Sequence, residues 1–283
     1  MSEFIFEGLD KETFDHKNDY SYQKKFGRGL SKDLIRQISA DKNEPEWMLE
    51  FRLDSYQKFL DMDMPKWGPN LDGLDLDEIV YYAYDNQADK DAKTWDDVPE
   101  DIKNTFEKLG IPKAERAMLA GVGAQYESQV VYHSLKEEWE LQGVIFEDCD
   151  VAIQKHPELF KKYFMKCVPN TDHKFAALHG AVWSGGTFLY IPNGVKMSQP
   201  LQAYFRMNAP SQGQFEHTLI IVEDNADAHY IEGCSAPKYG SSALHAGCVE
   251  VYCGKNSRVR YSSVENWSKD TFNLNTKRAI VNE

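Results

Sequence analysis

The sequence predicts an α+β protein: a helical front portion followed by a β-rich portion that repeats in the manner of a solenoid. Three observations carry this reading. Apolar residues recur at helical spacing between residues 31 and 62. From about residue 175 that spacing gives way to short β-branched and aromatic runs punctuated by Gly, Asn, Asp and Pro. Within this second texture Asn193, Asn225 and Asn256 each closely follow a strand-like run, at intervals of 32 and 31 residues.

The first helix is expected over "KDLIRQISA", with Ser31 as its cap and Leu34, Ile35 and Ile38 on one face. Pro45 opens a second, "PEWMLEFRLDSYQKFLDM", where the missing proline N–H would have no helical partner in any case. Trp47, Phe51, Met48, Ser55 and Phe59 supply its apolar spacing, Glu46, Glu50 and Lys58 face outward, and Pro65, Gly68 and Pro69 end it. Residues 61–104 are rich in Asp and read as a solvated acidic connection. Further helices are expected at 98–110, 112–121 and 156–167, the last with Pro157 in its first turn. Strands are expected in "GTFLYIPNGVKM", "PLQAYFRMN", "HTLIIVEDNADAHYIEG", "LHAGCVEVYCGKNSRVRYSSVENW" and "FNLNTKRAIV". A turn residue returning at a near-constant interval favours stacked coils over a sandwich of hairpins, because Asn-Gly occurs once only. The domains are drawn as 1–140, helical, and 141–283, solenoid. The final "RAIVNE" stops just after a strand-like run with no capping helix, so the chain reads as the front part of something longer.

Bulk properties narrow the function. The chain has 283 residues, 42% of them hydrophobic, and a net charge of −13, so it should repel a phosphate backbone and bind no nucleic acid. The acidic start "MSEFIFEGLDKETF" is no signal peptide, and apolar runs such as "TLIIV" are too short to cross a membrane. A cytoplasmic protein with reduced thiols is expected. Gly121-Val-Gly123 and Gly185-Gly186 lack the remaining residues of nucleotide-binding loops, and no nucleophile elbow is present. His217, His229 and His245 lie in the β-rich region and could form a metal trio, but their spacings of twelve and sixteen do not follow a cupin-type cluster, so surface or core positions are expected.

The five cysteines, Cys149, Cys167, Cys234, Cys248 and Cys253, include no CxxC pair and fit no zinc or ferredoxin pattern. Cys149 sits among acids and Cys167 at a helix end; both read as structural. Cys248 and Cys253, five positions apart, point to opposite faces of a regular strand, and one of them is expected to be packed. Cys234 in "IEGCSAP" has the smallest neighbours, Gly233 and Ser235. Composition alone still leaves it between a packed core residue and a reactive thiol.

Several longer blocks add to this reading. "ISADKNEPEWMLEFRLDSYQKFLDMDMPKWGP", "WSGGTFLYIPNGV", "YFRMN", "YIEGCSAP" with "LHAGCVEV", and "ENW" followed by "NTKRAIV" run in order to the end of the chain. Together they resemble the SufB/SufD family of the Suf iron–sulfur cluster assembly machinery, on its SufB side. The resemblance implies a helical N-terminal domain, then a right-handed parallel β-helix, here truncated before a C-terminal helical domain. It implies a scaffold that is not a turnover enzyme, and that works with the ATPase SufC and the paralogue SufD. Sulfur would arrive as persulfide from a cysteine desulfurase and its sulfur-transfer partner. An iron–sulfur cluster would be transient cargo, its ligands lying beyond residue 283, and a flavin is a second candidate cofactor. Cys234 matches the sulfur acceptor, with Gly233 and Ser235 leaving room for the donor's approach or for an inward sulfur path. Arg206, Asn208, Glu265, Trp267 and Lys277 match a sulfur path on inward faces, the basic residues suited to stabilising a persulfide anion. Relatives often carry Gln where this chain has Glu265, and a carboxylate there disfavours a nearby anion. Two rivals fit less well. A carbohydrate-active β-helix would need Asp clusters repeating between coils, and a SufD-like structural partner would lack the "GCSAP" thiol.

Overall fold

The computed structural model describes residues 24–25, 27–84, 118–208, 211–240 and 242–283, with isolated residues between 96 and 106. The helices expected at 98–110 and 112–121 fall, isolated residues apart, outside this set, as does much of the acidic connection. A short ladder joins β1 (Lys24–Lys25) to β2 (Ala83–Tyr84).

Helix α1 (Lys32–Asp41) is capped as expected: Ser31 Oγ accepts from the Leu34 N–H at 3.2 Å, and Leu34, Ile35 and Ile38 are buried. Helix α2 (Glu46–Asp61) has Pro45 at its cap and buries Met48, Ser55 and Phe59. It also buries Arg52, which the apolar spacing passes over. The guanidinium forms a two-point pair with Glu44, at 2.7 and 2.5 Å, and donates to the Ala181 and Trp183 carbonyls at 3.1 and 2.9 Å. An arginine can be buried when every N–H direction meets an acceptor.

Strands β3 (Gly121–Tyr126) and β4 (Gln129–Leu135) form an antiparallel pair at one edge. The short α3 (Glu137–Glu140) and β5 (Ile145–Glu147) follow, then α4 (Cys149–Lys155), α5 (Pro157–Tyr163) and α6 (Lys174–Val182). Strand β3 therefore belongs to the first sheet although it precedes residue 141, and three helices come after that point, so helix and solenoid interleave. Helix α6 continues past residue 175, where helical spacing fades, because it is buried on every side and shows no polar face. Helix α5 is shorter than expected. Met165 adopts a left-handed φ of 50°, and the buried Glu250 carboxylate collects the N–H groups of Met165, Cys167 and Val168 at 2.6–2.8 Å.

The remaining strands build a parallel β-solenoid of about three turns. Its coils are β7 (Leu201–Arg206), β8 (Gly213–Gln214) and β9 (His217–Val222), then β10 (Asp227–Ser235), β11 (Ala243–His245) and β12 (Cys248–Cys253), then β13 (Arg258–Asn266), β14 (Thr271–Asn273) and β15 (Thr276–Val281). Strand β6 (Gly186–Ile191) stacks on β9, and antiparallel β4 and β5 close that end. The repeat seen in sequence is a stacked corner. Gly194, Asn225 and Asn256 all have positive φ, and the Asn225 and Asn256 side chains meet at 3.5 Å, 31 positions apart. The first repeat position is thus Gly194, one residue beyond Asn193.

Strand alternation sends Leu201, Ala203, Phe205, Tyr230, Cys234, Val249 and Val251 into one bore cluster, joined near β5 by Trp139, Val144 and Phe146. The outer face of the third sheet carries Phe188, Leu219 and Ile221 under α4 and α5. Phe215, Leu244 and Ala246 pack under α1, α2 and α6. Both faces of β12 are covered, so Cys248 and Cys253 are both buried, not one of them.

Candidate functional site

Strand β10 carries Tyr230, Glu232 and Cys234 on its inward face, because residues two apart share a face. In register, Cys234 stacks between Phe205 and Glu265, and Glu232 between Ala203 and Ser263. From the third sheet Thr187, Thr218, Val249 and Lys277 form the facing row. A chain of contacts joins the two walls. Thr218 donates to Glu232 Oε2 at 2.8 Å and Tyr261 to Glu232 Oε1 at 2.6 Å. The Cys234 thiol lies 4.0 Å from the same Oε1, and Lys277 Nζ 3.8 Å from it. Lys277 donates to Glu265 Oε1 at 2.7 Å and to Ser263 at 2.8 Å, and Trp267 Nε1 donates to Glu265 Oε2 at 3.2 Å.

A second group approaches Cys234 from the corner between β8 and β9 and from the end of β11. Ligand-type atoms of Glu216, Cys234 and His245 all lie within 4.8 Å of one another. His245 Nε2 contacts Glu216 Oε1, its Nδ1 meets Asn273 Oδ1 at 2.9 Å, and its ring lies 4.2 Å from that of Trp267.

Burial and charge set the protonation of this site. Burial, then the charges of Glu232 and Glu216, push the Cys234 thiol well above its ordinary range, with Lys277 in opposition. Burial and Glu216 likewise raise Glu232. Burial would raise Glu265 too, but hydrogen bonds from Lys277 and Ser263 hold it down to about 2. Burial works against a charged Lys277, yet Glu232 and Glu265 raise its pKa. The bore thus holds an ammonium facing carboxylates beside a protonated thiol.

The sequence-derived residues divide. Cys234, Glu265, Trp267 and Lys277 meet in or at the mouth of the bore. Arg206 pairs in register with Ser235, so it projects from the opposite face of the sheet, donating to Ser235 Oγ at 2.9 Å; Tyr204 donates to the same oxygen at 3.1 Å. Asn208 follows it outside the bore, where its N–H donates to Glu127 Oε1 at 2.7 Å. Gly233 does not open an approach for a donor: a Cβ there would fall 2.5 Å from the Tyr204 ring. The three β-region histidines do not converge. His245 joins Cys234, His217 meets His179 at 3.0 Å on the helix-covered face, and His229 meets Ser262 at 3.2 Å on the outer face of β10. Glu216, Glu232 and Tyr261 belong to the site without standing out in the sequence. Alternation from Cys234 does point to Glu232, whereas Glu216 comes from the preceding turn of the solenoid and His245 from another sheet of the same turn.

The class the structure defines is a parallel β-solenoid protein with a buried thiol and clustered ionisable groups in its bore. Comparison with known families matches residues 98–203 to the SufBD protein N-terminal region and 205–283 to the SufBD core domain of the SUF iron–sulfur cluster assembly system. The chain belongs to the SufBD family. It is 54% identical over 256 residues to an iron–sulfur cluster assembly SufBD family protein of Staphylococcus aureus strain MRSA252. It is 51% identical over the same length to the iron–sulfur cluster assembly protein SufB of Bacillus subtilis. Each match covers 90% of this chain and 55% of the relative, so the chain spans about half the length of the curated relatives it matches. No helix among the described residues is long and apolar enough to cross a membrane.

Proposed function

We propose that the chain acts as a cytoplasmic scaffold component of iron–sulfur cluster biogenesis, with Cys234 accepting persulfide sulfur. A cysteine desulfurase and its sulfur-transfer partner supply that sulfur, and assembly proceeds with SufC and SufD. The chain is not a turnover enzyme in this reading, and a flavin has no part in it. The observation that carries the reading is the position of Cys234: it lies inside the bore beside Glu232 and within the field of Lys277.

The step needs a thiolate. The Cys234 proton passes to Glu232, whose burial makes its carboxylate more basic than an ordinary one. The thiolate then attacks the outer sulfur of a donor persulfide. A new S–S bond forms at Cys234, the donor's S–S bond breaks, and the donor leaves as its thiolate; no net oxidation occurs. Lys277 lies across the bore to balance the anion that results. Because Cys234 is only 1% exposed, sulfur must travel through the bore or through a transient opening of its wall.

The test mixes the protein with a desulfurase, its transfer partner and cysteine carrying labelled sulfur. Label should remain with the chain and be lost under reductant. A Cys234→Ser chain that retains label at the parent level contradicts the reading.

A further inference from the structure

Glu216 is the least explained group in the bore. Its Oε1 contacts His245, while its Oε2 is buried with no hydrogen-bond partner among the described residues. An orphaned carboxylate oxygen inside a wall is costly unless something occupies its lone pairs. Gly247 keeps the space it needs, since a Cβ there would fall 2.4 Å from Glu216 Oε1. The neighbouring ligand types are a thiol and an imidazole, and all three residues are buried.

We infer that Glu216, Cys234 and His245 form a binding site for a divalent transition metal, suited to ferrous iron, with one coordination position open. A tetrahedral ion with bonds of about 2.0–2.3 Å separates its ligand atoms by roughly 3.3–3.8 Å, so small side-chain shifts bring the three within reach. One sulfur, one nitrogen and one oxygen suit iron, zinc or cobalt and disfavour magnesium and calcium. His245 is supported from behind as a metal-bound imidazole usually is. Its Nδ1 side meets Asn273 Oδ1, and the Trp267 ring fixes its plane, leaving Nε2 directed at Glu216. Glu232 and Glu265 stand nearby, with Lys277 Nζ between them at 3.8 and 2.7 Å, so the two carboxylates and the ammonium balance part of the charge around the ion. Binding displaces one proton from the thiol and needs no electron transfer.

The metal site stands on geometry alone. Its role in assembly, placing iron on the thiol that receives sulfur, rests on the proposal above. Cobalt(II) is the probe, titrated into the whole chain, reduced and free of oxygen. The parent should show the visible bands of tetrahedral cobalt with a thiolate-to-cobalt charge-transfer band, and ferrous iron should compete the signal away. Cys234→Ser should abolish the charge-transfer band, and Glu216→Gln should weaken binding. Asn273→Ala, which touches no ligand atom of the metal, should weaken it about 10- to 100-fold. Cys248→Ser removes the thiol of the separate His179–His217–Cys248 group and should leave the signal intact. Circular dichroism on each variant confirms folding, and a misfolded His245→Ala is replaced by His245→Gln. Absence of the band in the parent, or its survival in Cys234→Ser, overturns the metal site. Labelled sulfur reaching Cys234 without any cobalt band sinks the metal site alone, whereas a cobalt band without sulfur uptake sinks the acceptor reading alone.

Discussion

Gly233 shows how one residue's meaning changes between sequence and structure. Beside Cys234 its smallness suggests space for a sulfur donor, but the space is on the other face and is filled by the Tyr204 ring. Gly233→Ala should therefore destabilise the fold by about 1–3 kcal/mol through overpacking, read as a lower denaturant midpoint, even though Cys234 itself is untouched. Cys234 is legible from its block, and Glu232 from simple alternation two residues earlier. Arg206 is not. Its face depends on the register Arg206–Ser235 between two strands about thirty residues apart, which local sequence does not encode. Glu216 and His245 are hidden for a similar reason, since only the winding of the solenoid stacks them on one another and brings them to Cys234.

At the level of elements, helices are legible where one face is polar and obscure where none is. Helix α1 is legible down to its Ser31 cap, while α6 shows no periodic face because it is buried all round. Arg52 of α2 is obscure for the opposite reason, a charge inside an apolar pattern. Its pairing with Glu44 and with the carbonyls that end α6 fixes α2 against α6. Arg52→Met should cost about 3–5 kcal/mol in chemical unfolding, because Glu44 stays buried and unpaired; adding Glu44→Gln should recover part of that loss. Strand β4 supplies a pH-dependent element. Burial, aided by Lys155, lowers the pKa of His133 from 6.5 to about 3. The folded pKa is below the unfolded one, so this contribution is complete above pH 6.5 and is lost as pH falls from there towards 3. His133→Gln should flatten the decline in stability over that window, measured by unfolding at successive pH values.

For the whole molecule, the break near residue 175 and the turn-residue repeat are enough to indicate a solenoid. The stacked corners at Gly194, Asn225 and Asn256 are its physical cause, since left-handed φ values favour Gly and Asn. Less legible is the interleaving of helices with the first sheet, because β3 pairs with β7 across a long stretch of chain. The solenoid converts distant residues into neighbours, and it gathers Glu216, Cys234, His245 and Lys277 around one bore. The central claim is that this bore, through Cys234, is where sulfur is received. Peptide mapping by mass spectrometry after reaction with a desulfurase, its transfer partner and cysteine tests it most directly. The account predicts the mass of added sulfur on the peptide that contains Cys234, and none on those of Cys149, Cys167, Cys248 or Cys253. Sulfur on any of those four, with the Cys234 peptide unmodified, would contradict it.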